Sequence, residues 1–282
     1  MLVTSKELLL DAQKNHYGVG AFNVENMEMV MAVLAAAEEQ KSPVIMQTTP
    51  GTIKFAGVDY YFANVAAAAK RTKIPVVMHL DHGDSFARAM QAYRAGYTSI
   101  MIDGSKLSFE ENIALTKSVV DACHASNVPV EGELGKVGGK EDDLENGDDN
   151  PYTDPDEAKE FVERTGVDSL AIGIGTAHGV YVSEPHINVE VLSAVKKVVD
   201  VPLVLHGTSG VPDDQVSDCV RRGICKINYA TDLRIAFTKG VKDFMAKNPD
   251  AFDPKKYSAV GMEEVKRYVM QKMEVMGSVG KA

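Results

Sequence analysis

Ionisable side chains follow several short apolar runs of this sequence, at the points where those runs end. The clearest case is the stretch 75–83, in which an apolar run is followed by His79, Asp81 and His82. A short apolar run bounded by proline and glycine predicts a buried strand. Ionisable groups at the end of a buried strand are costly to desolvate, so packing alone does not account for them. The carboxyl end of such a strand is the usual place for an active site in a parallel α/β protein.

Polar residues also end four later apolar runs, which finish in Glu131-Gly-Glu133, His178-Gly179, His206-Gly207 and Asn228. In a barrel of parallel strands, all these ends open on the same face. His82, His178 and His206 are each followed directly by glycine, which lets the backbone approach a bound substrate closely. Three histidines that converge with carboxylates suit a zinc site with an open fourth position. His79, inside its strand, is interpreted as a core or supporting residue.

A repeating order of short apolar strand, polar turn and amphipathic helix must position these side chains. The predicted strands are residues 19–24, 44–48, 76–80, 99–103, 128–134, 169–173, 203–206 and 225–229. The predicted helices that follow them are 27–40, 58–71, 85–95, 109–125, 155–165, 189–199, 213–222 and 233–245. Eight such units in one chain predict a (β/α)8 TIM barrel, an α/β fold, as a single domain over residues 1–282. A doubly wound sheet needs fewer strands, and no GxGxxG turn follows the first strand.

Three segments lie outside this repeat. An extra N-terminal helix is predicted at residues 4–15, and a C-terminal helical tail at 262–276, packed outside the barrel or against a partner subunit. Residues 136–153 are rich in Gly, Asp and Asn and have no periodicity. A loop of this length in a compact domain is usually a functional lid or is disordered.

Composition excludes some classes of function. The 282 residues carry a net charge of -10 without a basic stripe, which argues against a nucleic-acid partner. Apolar runs are shorter than a membrane span, and the N-terminus lacks the features of a signal peptide, so we expect a cytoplasmic protein without membrane contact. Cys123, Cys219 and Cys225 show no C-x-x-C spacing and are interpreted as reduced cysteines rather than catalytic thiols.

Two turns have the position of a phosphate site. Residues 207–210 (Gly-Thr-Ser-Gly) follow the seventh predicted strand, and residues 228–231 (Asn-Tyr-Ala-Thr) lead into the helix after the eighth. Loops after strands seven and eight, next to a helix N-terminus, frequently bind phosphate in this fold. The Gly-Thr-Ser-Gly turn alone is weak evidence, since it is also compatible with a tight connection.

Over nearly its whole length the chain resembles the class II, zinc-dependent ketose-bisphosphate aldolases, and within them most closely the tagatose-1,6-bisphosphate and class IIb fructose-1,6-bisphosphate enzymes. The matching stretches are Ala21-Phe-Asn23, Val77-Met-His-Leu-Asp-His82, Met101-Ile-Asp-Gly-Ser105, Glu131-Gly-Glu-Leu-Gly135, Gly138-Gly-Lys-Glu-Asp142, Gly175-Thr-Ala-His-Gly179, Leu205-His-Gly-Thr-Ser-Gly210 and Lys226-Ile-Asn-Tyr-Ala-Thr231. The order and number of these motifs make the resemblance specific.

The resemblance implies a role for most of these residues. His82, His178 and His206 would bind zinc, with Glu133 near the metal, while Asp81 would be the proton donor and Glu141 a second acid–base group on the mobile loop. Dihydroxyacetone phosphate and the rest of the substrate would contact Asn23, Thr49, Gly179, Gly207, Thr208, Ser209, Asn228, Tyr229, Ala230 and Thr231. The family also implies a homodimer or homotetramer and a monovalent cation, Na⁺ or K⁺, beside the zinc.

The implied reaction is reversible cleavage of a ketose 1,6-bisphosphate to dihydroxyacetone phosphate and glyceraldehyde 3-phosphate. Zinc would stabilise the carbanion beside the ketone as an enediolate, and Asp81 would take the C4 hydroxyl proton and return it. A class I aldolase would instead need a buried Schiff-base lysine at a strand end. Lys226 is the one candidate, and the three converging histidines favour the metal mechanism.

The sugar is less well specified than the reaction. Residues 49–52 and the Asn-x-Ala-Thr pattern are similar to the tagatose branch, and fructose enzymes more often have Asp or Asn at position 230. Lys255 stands where the family has an arginine that reaches the distal phosphate from a neighbouring subunit, and lysine lacks the bidentate fork. The C6 group is therefore a phosphate or another anion such as a sulfonate. An alternative of a different class is a non-catalytic barrel subunit that supports a partner aldolase.

Overall fold

The computed structural model describes residues 1–135, 137–141, 144–145, 152–181 and 185–282. The barrel strands are β1 (Val19–Asn23), β2 (Val44–Thr48), β3 (Val76–Gly83), β4 (Ser99–Ile102), β5 (Val130–Leu134), β8 (Ser169–Ile172), β10 (Leu203–Leu205) and β11 (Ile224–Tyr229). Three shorter strands, β6 (Gly138–Glu141), β7 (Leu144–Glu145) and β9 (Ala177–His178), form a separate small sheet in the order β7-β6-β9. The barrel strands pair in parallel and close in the order β1-β11-β10-β8-β5-β4-β3-β2, which confirms the predicted TIM barrel.

Helices surround this barrel. They are α1 (Ser5–Asn15), α2 (Met27–Gln40), α3 (Pro50–Ala56), α4 (Val58–Ala69), α5 (Phe86–Ala95), α6 (Phe109–His124), α7 (Pro155–Thr165), α8 (Val189–Val198), α9 (Asp213–Arg221), α10 (Thr231–Lys247) and α11 (Pro254–Val275). Side-chain caps fix where several of them begin: Asn26, Ser85 and Asn188 each accept a hydrogen bond from a backbone N–H of the first turn. Among the described residues, no helix has both the length and the apolar character needed to cross a membrane.

The barrel interior changes from apolar to polar along its axis. At one end, Val19, Ile45 and Val77 pack against Leu8 and Leu9 of α1, which closes this end of the barrel. Two and four residues further along β3, His79 and Asp81 are buried on the same side of the strand as Val77. Apolar side chains therefore fill the closed end, and buried polar groups accumulate toward the carboxyl ends of the strands.

The predicted C-terminal helix, residues 262–276, was wrong at its start. Helix α11 begins at Pro254, eight residues earlier, because Asp253 accepts a hydrogen bond from the Lys255 N–H and Pro254 occupies the first turn. The helix packs on the outside of the barrel against α2 and α10. Helix α3 was not predicted as a separate helix, although Thr49 caps it and Pro50 opens it by the same two signals.

The predicted loop at 136–153 lies only partly within the described residues. Its described part contains β6 and β7, which pair in antiparallel register, and β6 also pairs with β9. The three cysteines are buried, and burial raises the pKa of Cys123 and of Cys225 to about 11. These thiols therefore stay protonated near neutral pH, as expected for structural rather than catalytic cysteines.

Candidate active site and metal centre

A β-bulge near the end of β3 brings two consecutive side chains to the same place. Strand β3 pairs with β4 as Leu80↔Ile100 and Gly83↔Ile102, so β3 holds one residue more than its partner over this interval. His82 takes up the extra residue with a φ of 48°, in the left-handed region. As a result, Oδ1 of Asp81 lies 4.0 Å from Nε2 of His82, although regular alternation would place these two side chains on opposite faces.

The structure brings together the three histidines that the sequence predicts as ligands. One ring nitrogen of each of His82, His178 and His206 lies within 4.8 Å of the others. The ring centroid of His82 lies 5.0 Å from that of His178 and 4.6 Å from that of His206. The three residues come from β3, from β9 and from the residue after β10. Imidazole nitrogens at this spacing, from three separate segments, are typical of a zinc or related divalent metal site.

Asp103 holds the ring of His82. Its Oδ2 accepts a hydrogen bond of 2.8 Å from Nδ1 of His82, which leaves Nε2 of that ring facing the other histidines. Asp103 in turn accepts hydrogen bonds from the backbone N–H and the hydroxyl of Ser105. Burial raises the pKa of Asp103, but the hydrogen bonds from His82 and Ser105 outweigh it and hold the pKa below its usual range. The carboxylate therefore remains ionised and fixes the orientation of the imidazole.

Glu131 has the same relation to His206, deeper in the barrel. Its Oε1 lies 3.0 Å from Nε2 of His206 and 3.1 Å from Nζ of Lys226, and its Oε2 lies 3.0 Å from the same Nζ. All three side chains are buried. Burial lowers the pKa of His206, but its contacts with Glu131 and Glu133 raise that pKa to about 9. Lys226 is thus held by a carboxylate and does not line the cavity, which is unfavourable for a Schiff-base role.

Two buried atoms at the centre face each other without a hydrogen bond. They are Nδ1 of His206 and Oε2 of Glu133, 3.2 Å apart, and neither has a hydrogen-bond partner among the described residues. Burial, together with the charge of Asp103, raises the pKa of Glu133. The raised pKa of His206 means that its ring is protonated near neutral pH without a metal, and a bound cation would take the place of the Nδ1 proton between His206 and Glu133. A ring nitrogen and a carboxylate oxygen, both buried and without a hydrogen bond, suit a bound cation, so the residues present fit a metal ion.

Three side-chain amides fix the carboxylate of Asp81. Oδ2 accepts hydrogen bonds from Asn23 (2.9 Å) and Gln47 (3.1 Å), and Oδ1 accepts one from Asn228 (2.9 Å). These amides come from β2, β1 and β11, which are neighbouring strands of the closed barrel. Asp81 is therefore buried, oriented from three directions and adjacent to the histidine cluster.

A cavity at the carboxyl ends of the strands joins this carboxylate to both predicted phosphate turns. Its lining consists of Asn23, Asp81, His178, Gly179, Gly207, Thr208, Ser209, Asn228, Ala230, Thr231 and Arg234. A Cβ at Gly207 would lie 2.7 Å from the carbonyl oxygen of Ala177, so only glycine fits this wall of the cavity. The hydroxyl of Ser209 accepts from the backbone N–H groups of Ala230 and Asp232, which joins the turn after β10 to the start of α10.

Of the predicted substrate-binding residues, Tyr229, Thr49 and Lys255 do not line this cavity. The ring of Tyr229 is buried in the core between Phe22 and Tyr268, beneath Lys272. Thr49 is buried as the cap of α3, and Lys255 is 86% exposed and contacts Asp253. The side chain of Glu141 lies outside the described residues, so its predicted acid–base role stays a prediction.

The sequence interpretation gave no role to several residues that the structure places at the site. Gln47, Asp103 and Glu131 follow or lie within predicted strands, so their position was a usable signal. Arg234 also lines the cavity, from the first turns of α10, where its partner Glu25 could not have been inferred from spacing.

Comparisons with known proteins identify the family of this chain. The profile of the family described as "Fructose-bisphosphate aldolase class-II" matches residues 3–281. The crystal structure of the YdjI aldolase from Escherichia coli K12 is 41% identical, covers 100% of both chains and superposes with a TM-score of 0.89. A fructose-bisphosphate aldolase from Campylobacter jejuni is 26% identical over 100% of this chain and 97% of its own, with a TM-score of 0.84. The chain therefore belongs to the class II fructose-bisphosphate aldolase family. It is an aldolase that acts on a ketose phosphate, as the sequence predicted.

Proposed function

We propose that this aldolase uses zinc to cleave a ketose 1,6-bisphosphate, of tagatose or fructose, reversibly to dihydroxyacetone phosphate and glyceraldehyde 3-phosphate. One observation carries the proposal: three histidine nitrogens within 4.8 Å of one another lie beside a buried aspartate that opens on the same cavity as the two predicted phosphate turns. Metal binding, proton transfer and phosphate binding are the three functions that such a reaction needs at one place.

His82, His178 and His206 would hold the zinc ion, with Glu133 beside it. Bound zinc would stabilise the negative charge that develops on the substrate when the C3–C4 bond breaks. Asp103 and Glu131 hold two of the three imidazole rings in place, each through the nitrogen that does not face the centre. The ligand set therefore presents its lone pairs without further rearrangement of these two rings.

Asp81 would take the proton of the C4 hydroxyl during cleavage and return it during condensation. The carboxylate is 4.0 Å from His82, so a substrate hydroxyl next to the metal is within its reach. The amides of Asn23, Gln47 and Asn228 keep the carboxylate from rotating away. Glu141 remains our proposal for the second acid–base group.

The turn that contains Gly207 and the N-terminus of α10 would bind the C1 phosphate. At the start of α10, the Ser209 hydroxyl accepts from the N–H groups of Ala230 and Asp232, so Thr231, which lines the cavity between them, offers the backbone N–H that would face a ligand. A helix N-terminus favours an anion through its unpaired N–H groups and its dipole. Gly179 and Gly207, with φ of 88° and 63°, leave room for the phosphate at the opposite wall.

The direct test is release of dihydroxyacetone phosphate from tagatose and fructose 1,6-bisphosphates, with zinc and then with a chelator. Asp81→Asn should lower kcat by about 10²–10⁴-fold while zinc stoichiometry stays that of the wild type. Asp84→Asn is the matched control, because Asp84 is exposed and three residues away on the same segment. Zinc binding without release from either sugar would favour a ketose with a different group at C6 or a missing partner subunit, and no zinc binding would refute the metal mechanism.

A second candidate is an aldolase for a ketose 1-phosphate with a different group at C6. The identity of residue 255 favours it, because lysine lacks the bidentate fork of the arginine that the family has at this position. A homodimer or homotetramer, a cytoplasmic location and a monovalent cation, Na⁺ or K⁺, remain predictions from the resemblance, as does an accessory subunit.

A further inference from the structure

An ion pair occupies the edge of the cavity next to β1 and β2. Oε1 of Glu25 lies 2.8 Å from Nε and 2.6 Å from Nη2 of Arg234. Glu25 is two residues past β1, and Arg234 is in the first turns of α10. The two side chains are 28% and 38% exposed, so both lie at the mouth of the cavity rather than in its depth. Among the described residues that line the cavity, Arg234 is the only arginine or lysine.

Glu25 also takes the hydroxyl donors beside this arginine. Thr52 donates a hydrogen bond of 2.9 Å from its hydroxyl to Oε2 of Glu25. Because this bond uses the proton of Thr52, the hydroxyl of Thr49 must be the donor in the 3.2 Å contact between the two threonines. A guanidinium edge and the hydroxyl proton of Thr52, donors of the kind that bind a phosphate, are therefore directed at one glutamate carboxylate.

The backbone holds Glu25 in this position. The carbonyl oxygen of Glu25 accepts a hydrogen bond of 3.1 Å from the hydroxyl of Tyr61 in α4. Asn23, two residues earlier, is fixed to Asp81. The carboxylate of Glu25 thus projects from a short segment with hydrogen bonds at both ends, and it is placed opposite Arg234 by the fold rather than by a chance surface contact.

The order of strands in the barrel places Glu25 and Thr52 away from the turn after β10, and Arg234 reaches Glu25 from the helix that follows β11. The turn that contains Gly207 follows β10, the start of α10 follows β11, and Glu25 and Thr52 follow β1 and β2. With the C1 phosphate at the turns after β10 and β11, the ketose passes the histidines and Asp81. Its remaining carbons then extend toward the side of the mouth formed by β1 and β2.

We propose that Glu25 is a specificity-determining residue, a built-in anion that occupies the donors of a terminal-phosphate site and selects ketose 1-phosphates with an uncharged terminal hydroxyl. The inference rests on the second candidate of the proposed function, an aldolase for a ketose 1-phosphate, and specifies its terminal group as a hydroxyl. A terminal phosphate brings up to two negative charges next to Glu25 and must compete with it for Arg234 and Thr52. A terminal hydroxyl brings no charge and can donate a hydrogen bond to the Glu25 carboxylate.

The experiment compares fructose 1-phosphate with fructose 1,6-bisphosphate, and the two tagatose phosphates in the same way, in the zinc-loaded enzyme. The quantity measured is the ratio of kcat/KM for the 1-phosphate to that for the bisphosphate. We expect the wild type to favour the 1-phosphate. Glu25→Gln should shift the ratio at least about tenfold toward the bisphosphate, mainly through a lower KM, because a like charge is removed while the acceptor for Thr52 remains.

Glu28→Gln is the matched control, since it removes one negative charge three residues further along the chain, in the first turn of α2. Its ratio should stay that of the wild type. Glu25→Ala provides a second route to the same result if Glu25→Gln unfolds, and thermal unfolding of each variant shows which variants are folded.

Two results would overturn the inference. An unchanged ratio in a folded Glu25→Gln variant would mean that the carboxylate does not discriminate terminal groups. A fall in bisphosphate cleavage in that variant would mean that Glu25 instead holds Arg234 in place for a phosphate. Absence of cleavage of every sugar by the zinc-loaded wild type is a separate outcome, which would refute the proposed function and this inference with it.

Discussion

Replacing Glu131 with Gln would separate two roles of this buried carboxylate. Glu131 accepts from Nε2 of His206, and it is the only carboxylate that contacts Lys226 among the described residues. Glutamine keeps the size of the side chain but places an N–H₂ group beside Lys226 or His206. The buried lysine then loses its counter-charge, and the imidazole loses the group that fixes its orientation.

Both effects have an expected size. Removing one partner of a buried ion pair destabilises a protein by about 3–5 kcal/mol, which corresponds to a fall in Tm of roughly 6–10 °C in a chain of this length. Loss of a carboxylate behind a metal-binding histidine weakens metal affinity by about 10–100-fold. Thermal unfolding in the presence of chelator measures the first effect, and competition between the protein and a chelating dye for zinc measures the second.

The double variant Glu131→Gln/Lys226→Met distinguishes the two roles. Methionine removes the buried cation, so most of the lost Tm should return, whereas zinc affinity should stay low because His206 still lacks its carboxylate. Wild-type zinc affinity in folded Glu131→Gln would refute the argument that Glu131 orients His206. Wild-type Tm in that variant would show that Lys226 is stabilised by something other than this ion pair.

Three further changes test other parts of the structure. Gly207→Ala places a Cβ 2.7 Å from the carbonyl oxygen of Ala177 at a φ of 63°, so Tm should fall and the KM for the sugar phosphate should rise. Gly57→Ala is its control, with a φ of 90° but open space, and should show only the strain of the backbone. Tyr229→Phe should leave kcat/KM within about twofold of the wild-type value, because the buried hydroxyl has no hydrogen-bond partner among the described residues. A larger loss of kcat/KM would support the prediction that Tyr229 contacts the substrate. Asp168→Asn should lower Tm at pH 7, since contacts with Val130, Lys6 and His124 outweigh burial and lower the pKa of Asp168. Because the pKa is lowered, this stabilisation is present above about pH 4 and is lost on acidification. The difference in Tm between Asp168→Asn and the wild type should therefore become smaller below about pH 4.

The fold was predictable from the sequence because its signals are local. Each barrel strand is a short apolar run, and most of these runs are followed by a helix with a side-chain cap, so neither signal needs knowledge of the rest of the chain. The cluster of His82, His178 and His206 was predictable for the same reason, since each follows a predicted strand. The early start of helix α11 was missed because its cap, Asp253, lies beside Lys255, which was interpreted only as a substrate contact.

The supporting contacts of the site were not predictable, because they join residues that are distant in the chain. Glu131 contacts His206 and Lys226 across 75 and 95 residues, and Glu25 contacts Arg234 across 209. Such pairs depend on how the barrel closes and on the register of its strands. Composition and spacing identify carboxylates at strand ends, but only the closed barrel shows which cation or ring each of them holds.

The bulge at His82 has a consequence for how such a site can change over time. Because one extra residue turns two neighbouring positions inward, the predicted ligand and the predicted proton carrier are encoded by adjacent codons. A one-residue deletion in this segment would remove the extra residue and turn His82 away from Asp81, whereas substitutions at either position leave the backbone arrangement in place. The predicted metal ligand and the predicted proton carrier are therefore inherited together. A designer who transfers this chemistry to another barrel must move the bulge along with the two side chains.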